Sequence, residues 1–156
     1  MIDNQSGTQS DTRADKENLQ DINIPSVDAR LRQANLRPTR QRVALADLLF
    51  AKGDRHVSAE NLFEEAKRAG VTISLATVYN TLHQFTDSGL LKAIAIDSNR
   101  TYFDTNVGDH NHFYVEGTDE LFDMPDDVIR FENMPMPPEG MEICGIDVVV
   151  RIRKRD

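Results

Sequence analysis

The hydrophobic positions of this chain change period part-way along it. From Val27 to Gly89 apolar residues recur every three to four positions, in short runs separated by breakers, which predicts helices. A first helix over Val27–Ala34 has to stop before "NLRPT", because Pro38 has no N–H to donate and its ring clashes with a continuing helix. Thr39 can cap a second helix over Arg40–Ala51, with Val43, Ala44, Leu45, Leu48 and Leu49 on its inner side. Ser58 caps a third over Ala59–Ala69, with Glu60 in the first turn and Gly70 as its stop. Ser74 caps a fourth over Leu75–Asp87, which Gly89 ends. After Gly89 the period becomes two. "LLKAIAI" and "TYFDT" flank the turn-rich "DSNR" and predict a β-hairpin. Short helices followed directly by a hairpin make a winged helix. Beyond it, "HFYVEG", "ELFDM" and "EICGIDVVVRIRK" predict a small strand-rich unit, with "PDDVIRFENMPMPPEG" as a short helix broken by Pro135, Pro137 and Pro138. The expected class is α+β: a polar, disordered tail over residues 1–25, a winged-helix domain over 26–104 and a small α/β domain over 105–156.

Charge sharpens this division. Residues 1–25 carry 2 Lys/Arg against 5 Asp/Glu, residues 26–104 carry 11 against 9, and residues 105–156 carry 5 against 12, giving −3, +2 and −7 and the net −8. An acidic chain is no indiscriminate nucleic-acid binder, yet its middle block is basic and crowds Arg30, Arg32, Arg37, Arg40 and Arg42 at its start. The longest apolar runs fall far short of the ~20 residues of a membrane span, and the acidic, Ser/Thr-rich start is no signal peptide, so a cytoplasmic location is expected. A single cysteine, Cys144, allows neither an internal disulfide nor a Cys-rich zinc site within one chain; it is expected to be a small buried core residue.

Two stretches carry candidate chemistry. On a helical wheel Leu75, Val78, Leu82 and Phe85 share the core face of the fourth helix, while Ala76, Thr77, Asn80, His83 and Gln84 share the other, with Tyr79 at its margin. These groups are small, hydrogen-bonding or aromatic, and none is acidic, which suits base edges in a major groove. With a basic cluster before it and a wing after it, this helix predicts DNA binding, Arg40 and Arg42 serving the phosphates. The other stretch is "DHNHFYVEGTDELFD". On a strand His110 and His112 project to the same side roughly 7 Å apart, and imidazoles beside carboxylates suit iron, zinc or manganese. The same letters also spell H-x-H-x₃-E with Glu116, the pattern of a cupin-like metal-dependent oxygenase; position 104 is Asp where a cupin needs glycine, and no histidine follows His112 to form its second motif.

The words "LRPTRQRVALADLL", "HVSAENLFEEAKRAGVTISLATVYNTLHQFTDSGLLKAIAID", "TYFDT" and "DHNHF" resemble the ferric uptake regulator (Fur) family of bacterial metal-dependent transcription factors, from about Leu31 to the C-terminus. The iron response regulator (Irr) is the branch most similar. The resemblance implies a DNA-binding winged helix, a C-terminal dimerisation and ligand-sensing domain, a homodimer, and an AT-rich inverted-repeat operator on double-stranded DNA. It adds Tyr79 to the DNA contacts Arg40, Arg42, Thr77 and Asn80, and implies a regulatory site of His56, Asp104, His110, His112 and Asp123. A divalent metal (Fe, Mn or Zn) would take all five, or haem would bind through His110 and His112. Typical members carry two cysteines where this chain has Val115 and Thr118, so no Cys-based structural zinc is expected. Repression of iron and haem homeostasis genes is the activity implied.

Overall fold

The computed structural model describes residues 25–125 and 128–155. The tail expected over residues 1–25 lies, apart from Pro25, outside them. Four helices come first: α1 (Val27–Gln33), α2 (Arg40–Phe50), α3 (Ala59–Arg68) and α4 (Leu75–Asp87). Each starts at a hydroxyl that accepts a hydrogen bond from an amide three residues on: Ser26 from Ala29, Thr39 from Arg42, Ser58 from Asn61 and Ser74 from Thr77. Such caps satisfy amides that a helix start leaves unpaired. After α3 and α4 the chain turns through Gly70 and Gly89 at φ +73° and +76°, a conformation that favours glycine.

The strands form two sheets. The first has the order β1-β3-β2, all antiparallel, from β1 (His56–Val57), β2 (Lys92–Asp97) and β3 (Arg100–Asp104). Strand β1 is absent from the sequence expectation because two residues show no alternation. The second sheet has the order β5-β4-β6, from β4 (His112–Val115), β5 (Glu120–Asp123) and β6 (Val149–Ile152); β5 is antiparallel to β4 and β6 parallel to it. The helices and the first sheet close on a core whose largest fully buried members include Phe85, Phe103, Leu31, Leu45, Leu49, Leu62 and Leu82.

Three expectations are corrected. No helix forms over residues 128–140: Pro135, Pro137 and Pro138 remove amides and push the residues before them out of the helical region. The strand expected over Glu142–Lys154 shortens to Val149–Ile152, so among the described residues the second unit is built of strands alone. Cys144 is exposed, not buried, because residues 128–147 run almost entirely over the surface with no sheet to cover them.

Strand alternation decides what the two sheets show each other. On β3, Phe103 enters the helical core, while Tyr102 and Asp104 face the second sheet. There Tyr102, Ile94 and Ile96 meet Tyr114 and Leu121 in a second buried apolar cluster.

Candidate metal centre

Two cross-strand pairs make most of the site. His56 lies opposite Asp104 across β1 and β3, and His112 lies opposite Asp123 across β4 and β5. Each pair is a histidine and an aspartate, one pair per sheet, and the sheets face each other. The fifth residue, His110, precedes β4 instead of lying on it, and its Nδ1 hydrogen-bonds to the Gly108 carbonyl at 2.9 Å. The rings of His110 and His112 therefore come within 4.4 Å centroid to centroid, closer than strand spacing alone would bring them.

The three Nε2 atoms surround two carboxylate oxygens. Asp104 Oδ2 is 3.2 Å from His56, 2.9 Å from His110 and 3.2 Å from His112; Asp123 Oδ1 is 2.9, 3.2 and 3.6 Å from the same atoms. One ligand atom from each residue lies within 4.8 Å of all the others. Ligands about 2.1 Å from a common ion lie roughly 3 to 3.4 Å from one another, so most of the imidazole–carboxylate separations are of the size that neighbouring ligands of one ion have. His56 Nε2 agrees with that reading: it is buried and makes no hydrogen bond although Asp123 Oδ1 is 2.9 Å away, and a buried nitrogen without a hydrogen bond is one that an ion could satisfy.

The aspartates differ in role. Asp104 is fully buried; its Oδ1 accepts the Asn106 amide at 2.8 Å, which turns Oδ2 to the histidines. Burial opposes its charge, but the imidazoles of His112 and His56 and the Asn106 amide outweigh it and hold the carboxyl well below the usual carboxylate range. Burial likewise opposes charge on His56, and the Asp104 and Asp123 carboxylates overcome it and raise its pKa above 6.5. Asp123 has a side chain 42 % exposed and forms the open side of the site. Three imidazoles and two carboxylates suit Fe²⁺, Mn²⁺ or Zn²⁺.

Outer partners hold the candidate ligands in place. Arg55, next to His56, donates to both carboxylate oxygens of Glu65 on α3, Nη1 at 3.0 Å, and its backbone N–H donates to Thr105 Oγ1 at 2.8 Å. Arg55→Ala is expected to weaken Mn²⁺ binding about 10-fold in calorimetric titration without removing a ligand. An unchanged affinity would show that β1 keeps His56 in place unaided.

The sequence of the chain matches the model of the Ferric uptake regulator family over residues 33–150. The chain belongs to this family. It is 32% identical over 127 residues to the ferric uptake regulation protein of Pseudomonas aeruginosa, covering 80% of this chain and 95% of that one. A solved structure of the ferric uptake regulator from Pseudomonas aeruginosa with manganese superposes with a TM-score of 0.63 at 28% identity, covering 83% of this chain and 98% of that one. The Vibrio cholerae ferric uptake regulator, at 22% identity and a TM-score of 0.63, covers 81% of this chain and 98% of its own and shares the fold. Fur-family proteins are metal-responsive transcription regulators and not enzymes, and this chain is one of them. Glu116, the third ligand of the oxygenase alternative, is exposed and outside the five-residue cluster.

The remaining candidate residues lie on the helical side. Ala76, Asn80, His83 and Gln84 are exposed on α4, and Thr77 is half-buried, its hydroxyl 2.8 Å from that of Ser74. Tyr79 donates its hydroxyl to the Glu60 carboxylate. Arg40 is exposed at the start of α2. Arg42 is tied to α4: Nε and Nη2 donate to Gln84 Oε1 at 3.1 and 2.9 Å, and Nη1 to the Arg37 carbonyl at 2.9 Å. Sequence reasoning missed Arg55, Glu65 and Asn106, for which no periodic signal exists.

Proposed function

We propose that this chain is a homodimeric, cytoplasmic, iron-responsive repressor, closest to the Irr branch, that binds an AT-rich inverted-repeat operator and senses a divalent metal at His56, Asp104, His110, His112 and Asp123. One observation carries the reading: a His/Asp pair from the winged-helix sheet and a His/Asp pair from the second sheet converge on one point. An ion held there joins the two units. His56 and Asp104 fix the winged helix, His112 and Asp123 fix the second sheet, and α4 takes one orientation in each protomer. Only some orientations place two recognition helices on two half-sites, so the ligands shift the population able to bind.

The geometry favours a free ion over haem. A porphyrin leaves its iron two axial positions, so at most two of five converging ligand atoms could be used. His110 and His112 also turn their Nε2 atoms to Asp104 rather than outward. The homodimer is supported by the outer face of the second sheet, where Phe122, Phe113 and Val150 form a cross-strand apolar row and Phe122 is 50% exposed. An uncovered apolar row of this kind suits a second copy of the chain.

The test is operator retention in a gel shift with Mn²⁺ and with chelator. Wild type is expected to change affinity on chelation, and His110→Ala/His112→Ala is expected to lose that response. A double variant that responds like wild type would sink the sensor assignment. On α4, Tyr79→Ala is expected to weaken operator binding about 10-fold, within the ~1–3 kcal/mol a base contact supplies. Arg40→Ala should weaken binding on all sequences alike and reduce the slope of log affinity against log salt by about 1. An unchanged slope would take Arg40 off the phosphates.

A further inference from the structure

One step along the strands from the ligand row, the two facing sheets meet again. On the second sheet the row His112, Asp123 and Val149 is followed, two residues on, by Tyr114, Leu121 and Arg151. On the first sheet Asp104 is followed in the same way by Tyr102, which pairs with Ile94. Ile94, Ile96, Tyr102, Tyr114 and Leu121 are each less than one-tenth exposed and pack as one cluster, with Val149 against it. Polar contacts seal its border. The Tyr102 hydroxyl donates to the Asp119 carbonyl at 2.7 Å, the Tyr114 hydroxyl donates to Asp119 Oδ1 at 2.5 Å, and Arg100 at the wing turn donates to Asp119 and Tyr114. Arg151 donates to the Ile96 carbonyl and stacks over the Tyr114 ring at 5.5 Å.

We propose that this second row is a metal-independent clamp: it holds the wing on the second sheet when no ion is bound, and Arg100, Tyr102, Ile96 and Asp119 are thereby positioning residues for metal capture. The inference rests on the metal-site reading above and adds how that site is kept assembled. The ligands come from two units, and gathering them costs orientational freedom that an ion must otherwise supply from its own binding energy. Buried apolar surface and satisfied polar groups beside the site remove most of that cost beforehand. On ion release the winged helix pivots about the clamp and does not come free, so the two states differ by a rotation about the wing.

The test uses full-length protein, with Zn²⁺ as a diamagnetic probe, and two variants: Arg100→Ala/Tyr102→Phe, which opens the polar border, and Ile96→Ala, which thins the apolar row. None of these residues is a ligand, and the winged-helix core belongs to a separate cluster. Both variants are expected to weaken Zn²⁺ binding about 5- to 30-fold, and Asp119→Ala added to the first variant should cost little more, because the groups act together. The second readout needs no metal. Spin labels at Lys67→Cys on α3 and Glu116→Cys after β4, in a Cys144→Ser background diluted with unlabelled chain, should give one narrow distance distribution in chelator for the parent protein and a broad one for the variants. A parent distribution in chelator as broad as the variants' overturns the clamp. So does a Zn²⁺ affinity unchanged within about twofold in both variants. Loss with Asp119→Ala but not with Arg100→Ala/Tyr102→Phe or Ile96→Ala points to the β4–β5 turn alone and overturns it too. If His110→Ala/His112→Ala leaves Zn²⁺ binding intact, the metal-site reading fails, while the distances in chelator still decide the clamp.

Discussion

Replacing Asp104 with asparagine is expected to lower Mn²⁺ affinity by more than about a hundredfold, beyond the roughly 10- to 100-fold that loss of an outer partner of a metal ligand costs. Asp104 is the one carboxylate of the site removed from solvent, and its Oδ2 meets all three Nε2 atoms. Asparagine has the same shape and can keep the Asn106 amide bond, so the fold survives and the loss falls on the ion. Titration calorimetry reads the affinity directly. A melting curve should show the metal-induced rise in wild type and none in Asp104→Asn. The charge of the site also sets its response to pH. The folded-state pKa of Asp104 is depressed, so its contribution to stability is present above its ordinary value of 3.8 and is lost as pH falls through the lower folded value. That of His56 is raised, so its contribution is present below 6.5 and is lost as pH rises through the higher folded value. The metal-free protein thus gains most from the pair in weak acid, and Asp104→Asn should flatten that dependence. An ion needs the neutral imidazole and has to displace the same proton, so affinity should fall as pH falls through the raised folded value of His56. Wild-type binding as weak as that of Asp104→Asn would show that the cluster is a hydrogen-bonded polar network and nothing more.

How much of this was legible in the chain follows from the range of the forces involved. The four helices are set by local signals, and the structure begins each of them at a predicted cap or, for α1, at Ser26 just before the predicted start. The wing is equally local, a turn between two alternating runs. The irregular course of residues 128–148 was half-legible: the prolines announced a broken helix, and their density prevents any helix. The centre was legible in another way. H-x-H marks a candidate, but His56 is joined to Asp104 only by register between strands distant in sequence, and both meet H-x-H only because two sheets face each other; these are tertiary facts. The family resemblance supplied those partners; nothing in the spacing could. Arg55, Glu65 and the clamp row stayed hidden because their roles exist only once two sheets face each other.

Phe103→Ala is expected to cost about 3–5 kcal/mol of folding stability, the range for removing a large buried aromatic. Phe103 is fully buried on the middle strand of the first sheet, one residue before Asp104, and faces the opposite way into the helical core. Its ring also meets that of His83 of α4 in a T-shaped contact, with centroids 5.7 Å apart and planes at 81°. A small domain has only about 5–15 kcal/mol in total, so the variant should lie near its unfolding midpoint in low urea. Its urea midpoint measured in chelator gives the loss, and saturating Mn²⁺ should recover about 2.7 kcal/mol at one hundred times the dissociation constant, because only the folded chain assembles the ligands. Phe103→Leu keeps most of the volume and should cost about 1 kcal/mol, leaving enough folded protein to assay the operator. That milder variant separates two roles. If Phe103 only fills space, Phe103→Leu binds metal and operator as wild type does. If its ring transmits the position of Asp104 to α4 through His83, Phe103→Leu keeps its Mn²⁺ affinity and loses part of the change in operator affinity that Mn²⁺ produces. A loss from Phe103→Ala below about 1 kcal/mol would mean that neighbouring side chains collapse into the space, and β3 would then be held by its hydrogen bonds to β1 and β2 rather than by the core behind it.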